Sequence, residues 1–443
     1  MRKFIIIPGM LILLATAFFQ EAMAGTLWTI TPEAHVQQQY NDNLFRTRDN
    51  TRSDWITVIG AGLELRGVKR TQELTLGYQP SYSIYNTHDE FNTLRHNANL
   101  RFRKDLQKNL RFSFIDHFQY SEQPYDPARG YRPPDERVVI DEEHIDEEFT
   151  DESLRRGREP RTRNSARARL DYQFGPRDRA YAEYHMYHHW NKNPGEEDSV
   201  RHSPSMGVQY WFTPRYGLDV STRYVHGWFD ESENLDSWEG RARLMRNFTK
   251  FIDGFIQYRH NYVRYSGDRE GYDLYEPSIG VLYRFASDGH ASVGLGYYFR
   301  DEERSGTESG PILNADINKT WDWRRSAFTL RGRSGFTQAY FDTGDQGFII
   351  YYHATALYSY AVSKNLDWNL SGQYRRNIYE DRDPDRTDNI YAAGTGLNYQ
   401  LTRQVRLGLD YNYRQVDSNI RTEEYTENRI TLRLNWRPQA RRL

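Results

Sequence analysis

Apolar and polar residues alternate along most of the chain. Leu74, Leu76, Tyr78, Tyr82 and Ile84 form one series, and Glu73, Thr75, Gly77, Gln79, Ser81 and Ser83 lie between them. Successive strand residues point to opposite faces, so such a segment carries one greasy and one polar face. The same alternation recurs at 94–102, 166–174, 291–299, 328–336, 366–374, 405–413 and 430–436. No stretch of comparable length has the helical period.

The connections alternate in length. Short ones fall near residues 67–69, 105–108, 175–177, 213–215, 248–250, 287–289, 322–324, 363–365 and 402–403. Longer, more charged ones fall at 41–54, 230–236, 266–271, 301–309 and 380–386. Outer-membrane barrels combine short periplasmic turns with longer external loops. Nine short turns join eighteen strands, and a first strand near 32–40 and a last near 425–437 bring the count to about twenty. The weakest alternation is at 32–40 and 313–321, so eighteen is the alternative count. The pattern predicts an all-β fold, a transmembrane antiparallel up-and-down β-barrel with both termini in the periplasm. A soluble propeller or sandwich competes, but it explains neither the alternating turn lengths nor the aromatic residues near strand ends. Tyr78, Tyr120, Tyr210, Trp211, Tyr265, Phe299, Tyr340, Tyr360, Tyr379 and Trp436 sit where interfacial girdles are expected.

Composition sharpens this picture. The 443 residues include 34 Tyr, 22 Phe and 10 Trp, yet the mean hydropathy is −0.90. Many aromatics with low hydropathy suit a sheet with one apolar and one polar face. Arg2 and Lys3 precede an apolar run at 4–19, and Ala22, Met23 and Ala24 fit a small-x-small cleavage site. Residues 1–24 are therefore expected to be a signal peptide and 25–443 the barrel. Beyond Gly25 no stretch approaches the ~20 apolar residues of a membrane helix. There are no cysteines, so no disulfide framework supports the fold. Charges nearly balance, 59 basic against 61 acidic, which gives no general reason to expect a nucleic-acid partner. The expected surroundings are the bacterial outer membrane, its lipid and the barrel-assembly machinery.

Residues Tyr40, Asn41, Asp42, Asn43, Leu44 and Phe45 follow Gln37, Gln38 and Gln39 and precede Ser53, Asp54, Trp55 and Ile56, then Gly60, Ala61, Gly62 and Leu63. This order resembles the opening of the beta-barrel porin 2 family, with a Tyr-x-Asp-Asn-like turn and a second strand carrying Ser-Asp and Pro-Gly-Leu. Ala61 stands where that pattern has proline. The resemblance is expected to extend over the whole mature chain, although its motifs occupy only the first fifth. It implies an outer-membrane barrel associated with exopolysaccharide or exosortase systems, a porin-like channel or accessory for polymer export. A general diffusion porin and a non-conducting structural or adhesive barrel are the alternatives. Read from the residues themselves, Tyr40 to Asn43 are a loop-initiating turn rather than a binding site, since Asn and Asp suit bends.

Arginine carries the chemistry. Arg101, Arg103, Arg167, Arg169, Arg241, Arg243, Arg331, Arg333, Arg406, Arg414 and Arg433 fall on the polar phase and should face the lumen. Glu64, Glu73, Asp171, Glu239, Asp367 and Asp410 share that phase. Two readings stand side by side: a mutually neutralised ion-pair network, with Asp367 or Asp410 as partners of Arg331 and Arg333, and a basic track for an anionic polysaccharide. The interruption at about 121–163 begins with Pro124, Pro127, Pro133 and Pro134, continues through an acidic run from Asp141 to Glu152 and ends in arginines. A loop of that length suggests a functional role or disorder, and a luminal constriction is one such role. Its carboxylates do not have the spacing of a calcium loop. His185 and His189 share a face that His188 opposes, so the three do not gather round a metal. No catalytic, cofactor-binding or metal-binding motif appears, and no enzyme activity is expected.

Overall fold

The computed structural model describes residues 26–123, 157–192, 196–285, 289–304, 306–341, 344–380 and 386–443. The expected signal peptide and most of the long charged loop fall outside the described residues.

Among the described residues, twenty antiparallel strands close on themselves. We number them β1 to β20 in chain order. The first, β1 (Leu27–Asn41), pairs with β2 (Asp54–Lys69) along its full length and with β20 (Tyr425–Trp436) over Ala34–Asn41, so the sheet has no free edge there. Closure lets neighbouring strands satisfy most of the backbone groups along the wall, as hydrocarbon surroundings require. β3 runs in two pieces, Gln72–Tyr78 and Ser81–Tyr85. Pro80 lacks an N–H and interrupts the ladder between them. Its carbonyl still accepts from the Ala61 amide at 3.1 Å. Beyond β20 the chain returns to the wall as a two-residue bridge, with Arg441 and Arg442 opposite Ile30 and Thr29.

Eight of the nine short turns fall within the described residues and occur where the alternation places them, within a residue or two. Four share one device. The hydroxyls of Thr213, Thr249, Ser363 and Thr402 each accept from the amides two and three residues on, at 3.0–3.2 Å. A short hydroxyl side chain thereby replaces a missing ladder partner and fixes a tight bend. The first strand is longer than expected, and the weakly patterned 313–321 lies inside a full strand, Gly306–Asp322.

The outer wall is apolar. Ile59, Leu63, Ile279, Leu295, Leu409 and Leu432 are exposed and alternate with residues turned inward. Two girdle residues at long-loop ends face the other way, and Trp211, beside a short turn, lies over the inward face of Gly217. Tyr379 is 1% exposed, and Tyr265 packs against an interior cluster of Phe229, Leu235 and Val263. Both stand at long-loop ends of strands, where the interior is filled with apolar side chains and an inward aromatic residue finds contacts. The side chain of Tyr340 lies outside the described residues.

Candidate lumen lining

The strand register places all of the sequence-identified arginines on the inward face. Arg101, Arg103, Arg169, Arg243, Arg331, Arg406 and Arg433 lie in the half of the barrel nearer the short turns. Arg167, Arg241 and Arg333 lie near mid-strand, and Arg414 lies nearer the long loops. Several are held by carboxylates. Arg103 pairs with Glu73 at 3.2 Å, Arg241 with Asp219 at 3.2 Å and Arg433 with Asp410 at 3.0 Å. Arg169 bridges Asp171 at 2.9 Å and Glu183 at 3.0 Å, and Arg167 approaches Glu183 at 3.8 Å. Arg243 and Arg406 are held by amides instead: Arg243 donates to Gln257 at 2.7 and 2.9 Å and Arg406 to Gln400 at 3.1 Å. Among the described residues, Arg101 and Arg331 make no ion pair. Arg331 stands opposite Asn318 and Thr355, and Arg333 opposite Asp316 and His353.

The expected pairing of Arg331 and Arg333 with Asp410 does not occur. Asp410 is taken by Arg433 of the adjacent strand, because strand register and not charge alone decides which side chains meet. His185, His188 and His189 behave as the alternation requires. His185 meets Ser165 at 2.9 Å on the inner face, while His188 stacks on Trp190 on the outer one.

Aromatic rings interleave with the inward arginines. Arg169 lies 4.2 Å above the centroid of Tyr181, Arg243 4.3 Å above Phe255, and Arg375 4.8 Å above Tyr351. Guanidinium over an aromatic face is a mutually favourable arrangement that leaves the edge donors of the cation available.

The half nearer the long loops differs in kind. Its inward residues are largely buried and many are apolar, which alternation alone did not reveal. Two chain segments fold into it. The first is the β1–β2 loop. Leu44 is fully buried against Ile56, Val58 and Tyr85, three inward residues of β2 and β3. The Tyr40–Phe45 motif makes this possible. Asn43 caps the bend through the Asn41 side chain at 2.8 Å and donates to the carbonyls of Thr47 at 2.7 Å and Thr426 at 2.8 Å. Asp42 accepts from Asn428, and Asn41 and Arg46 both reach Glu427. The motif is thus a turn, and it fastens the first loop to the last strand across the closing seam. The end of the long charged loop joins it, with Arg158 donating to the Leu44 carbonyl at 2.9 Å.

The second segment is the tip of the hairpin made by β15 (Ser326–Phe341) and β16 (Gly344–Ala361). β15 pairs with β14 (Gly306–Asp322) only as far as Ser334 opposite Ala315. Past that point the hairpin leaves the wall. Phe336 and Phe348 pack on each other at 5.3 Å, and Phe348, fully buried, meets Tyr298 at 5.7 Å and Tyr272 at 6.2 Å. Those tyrosines are inward residues of β12 (Tyr272–Arg284) and β13 (Gly289–Glu302). The alternation of 328–336 put Phe336 on the outer face. That expectation fails because the hairpin turns inward beyond Ser334. Gly347, at φ +82°, supplies the left-handed backbone next to Phe348.

At the same end, Glu122 is buried between three donors. Arg95 Nε approaches its two oxygens at 3.0 and 2.9 Å, Tyr85 donates at 2.9 Å and Ser83 at 3.1 Å. Burial pushes the carboxyl pKa up, but the guanidinium and the hydrogen bonds outweigh it and hold it below the usual carboxylate range.

The chain is similar in fold to solved outer-membrane proteins. The siderophore receptor PirA from Acinetobacter baumannii is 8% identical, with 92% of this chain and 80% of that chain covered and a TM-score of 0.48. OccK2 (OpdF) of Pseudomonas aeruginosa, solved with glucuronate, is 9% identical over 93% of this chain and 98% of that one, with a TM-score of 0.41. Acinetobacter baumannii OccAB4 is 11% identical over 92% and 98%, with a TM-score of 0.39. No curated protein matches. The family match falls on the last nine-and-a-half strands and does not include Tyr40–Leu63, where the resemblance began. Residues 257–437 match the family model described as Putative beta-barrel porin 2, and they form the second half of the closed barrel.

Proposed function

We propose that this barrel is a non-enzymatic conduit for an anionic polysaccharide, with the short turns in the periplasm and polymer taken up from that side. The observation that carries the reading is the placement of the inward arginines. Seven of the eleven candidates lie toward the short turns, and Arg101 and Arg331 among them make no ion pair with described residues, whereas the inward arginines of the long-loop half, such as Arg201, Arg300, Arg375 and Arg386, are buried. A lumen that only needed neutral filling would pair its cations, because an isolated charge away from bulk water is costly. Arginine forks suit carboxylates, and the Tyr181 ring beside Arg169 offers a flat surface to a sugar ring.

The test is conductance of the refolded chain in a planar bilayer, with alginate as the polyanion and dextran as the neutral polymer. The proposal expects anion preference, and block by alginate from the short-turn side at concentrations where dextran has no effect. Equal block by the two polymers would make it a general diffusion porin. The filled long-loop half favours a second reading, a barrel that conducts nothing, and a silent bilayer would select it.

A further inference from the structure

The lipid-facing wall has a charge asymmetry that neither the barrel fold nor a luminal function requires. Near the short turns its outward charges are basic: Lys69, Lys104, Arg246 and Lys319. Near the long loops the outward charges are mixed, Asp236 and Asp273 standing with Arg264, which pairs with Asp273 at 2.8 Å. Two of the outward cations lie against girdle rings, Arg246 5.1 Å from the Phe248 centroid and Lys319 5.8 Å from Trp321.

At one place these features converge. Trp28, Gly67, Leu74 and Phe102 line a narrow crevice on the outer wall across β1, β2, β3 and β4 (Thr93–Gln107). The indole of Trp28 lies flat over Gly67, where an added Cβ would stand 2.7 Å from the ring. Leu74, on the same outward face, is only 6% exposed beneath these rings. Above the crevice, toward the short turns, Gln72 is directly opposite Lys69 on one side and Lys104 on the other. Direct strand partners share a face, so Lys69, Gln72 and Lys104 form the outward row next to the crevice on its short-turn side. Apolar walls below and two lysines flanking an amide donor above are the complement of a lipid with a phosphate headgroup.

We propose that this crevice is a binding site for an anionic phospholipid, with an acyl chain against Trp28, Leu74 and Phe102 and the phosphodiester held by Lys69, Lys104 and Gln72. The site faces lipid, so it is separate from the luminal arginines and stands whether or not the barrel conducts. An ammonium near a membrane surface favours an anionic headgroup by about fivefold each.

The full chain, refolded into phosphatidylcholine vesicles containing phosphatidylglycerol, gives the test. Bromine is placed on the acyl chains of one lipid and then of the other, and tryptophan quenching is compared. Brominated phosphatidylglycerol should quench several-fold more effectively at equal mole fraction, and Trp28→Phe should remove most of the selective part. Lys69→Gln with Lys104→Gln should bring the preference close to one, while Lys69→Arg with Lys104→Arg should keep it. Equal quenching by the two lipids in the unaltered chain would overturn the proposal. So would an unchanged preference in the glutamine variant. Loss of the selective quenching on adding alginate would assign the lysines to a polysaccharide and overturn it as well.

Discussion

Phe336 lies under the guanidinium of Arg259, 4.4 Å from carbon to ring centroid, although three strands separate them along the wall. Arg259 belongs to β11 (Ile252–Tyr265) and Phe336 to β15. Neighbouring strands are about 4.8 Å apart, so four steps along the sheet span roughly 19 Å. Only a path across the interior brings the two together. The Phe336–Phe348 part of the β15–β16 hairpin is therefore a luminal element, and this aromatic pair is what keeps it there.

Removing that pair should open the barrel. Phe348→Ala deletes a fully buried ring that touches Phe336, Tyr272 and Tyr298. Such truncations cost about 3–5 kcal/mol where they occur in a packed interior. The loss falls on the hairpin contact and not on the strand ladders. Single-channel conductance should rise and flicker more, while heat-modifiable gel migration, the mark of a folded barrel, persists. Unchanged conductance with a lowered melting temperature would show that the hairpin does not restrict the path.

The first loop should detach on a single amide change. Asn43 satisfies the Thr47 amide and the carbonyls of Thr47 and Thr426 from one side chain. Asn43→Ala leaves those groups without their partner, at a cost of about 1–3 kcal/mol. Hydrogen exchange at residues 44–47 should speed up, with the ladder amides of β1 and β2 unaffected.

Glu122 makes packing at the long-loop end depend on pH. Its folded pKa is depressed, so between that value and the ordinary ~4.3 the unfolded carboxyl binds the proton and the folded one does not. Stability from this group is complete above the ordinary value and declines as pH falls through the depressed one. Glu122→Gln should lower the melting temperature at neutral pH, since partly buried Arg95 loses the carboxylate it pairs with. It should also flatten the decline measured below about pH 4. An equally steep acid decline in the variant would remove Glu122 as its source.

Much of this was legible in the chain. Alternation with turns of two lengths is a property of single strands, and it predicted the all-β barrel of about twenty antiparallel strands. What it missed depends on where strand pairing stops. The 328–336 alternation continues past Ser334 with no sign that β14 has let go, so Phe336 was placed on the wrong face. Ile56 and Val58 are inward and apolar because Leu44 folds onto them, a contact across a loop that no local period encodes. Tyr379 reads as a girdle residue by position, yet it faces the same filled interior. The partner of Asp410 was likewise a matter of register, which follows from the strand count and the closing stagger rather than from spacing within a strand.

The most direct measurement of the conduit account is the reversal potential, under a salt gradient, of Arg331→Ser with Arg333→Ser. These two arginines lie on one face of β15, two residues apart, and neither is the partner of Asp410, which Arg433 holds. Lumen substitutions tune selectivity with little effect on assembly. The account predicts that the reversal potential moves toward zero, that alginate block weakens, and that the melting temperature stays near that of the unaltered chain. An unchanged reversal potential with a lowered melting temperature would contradict it and leave the arginines as structural filling of the barrel.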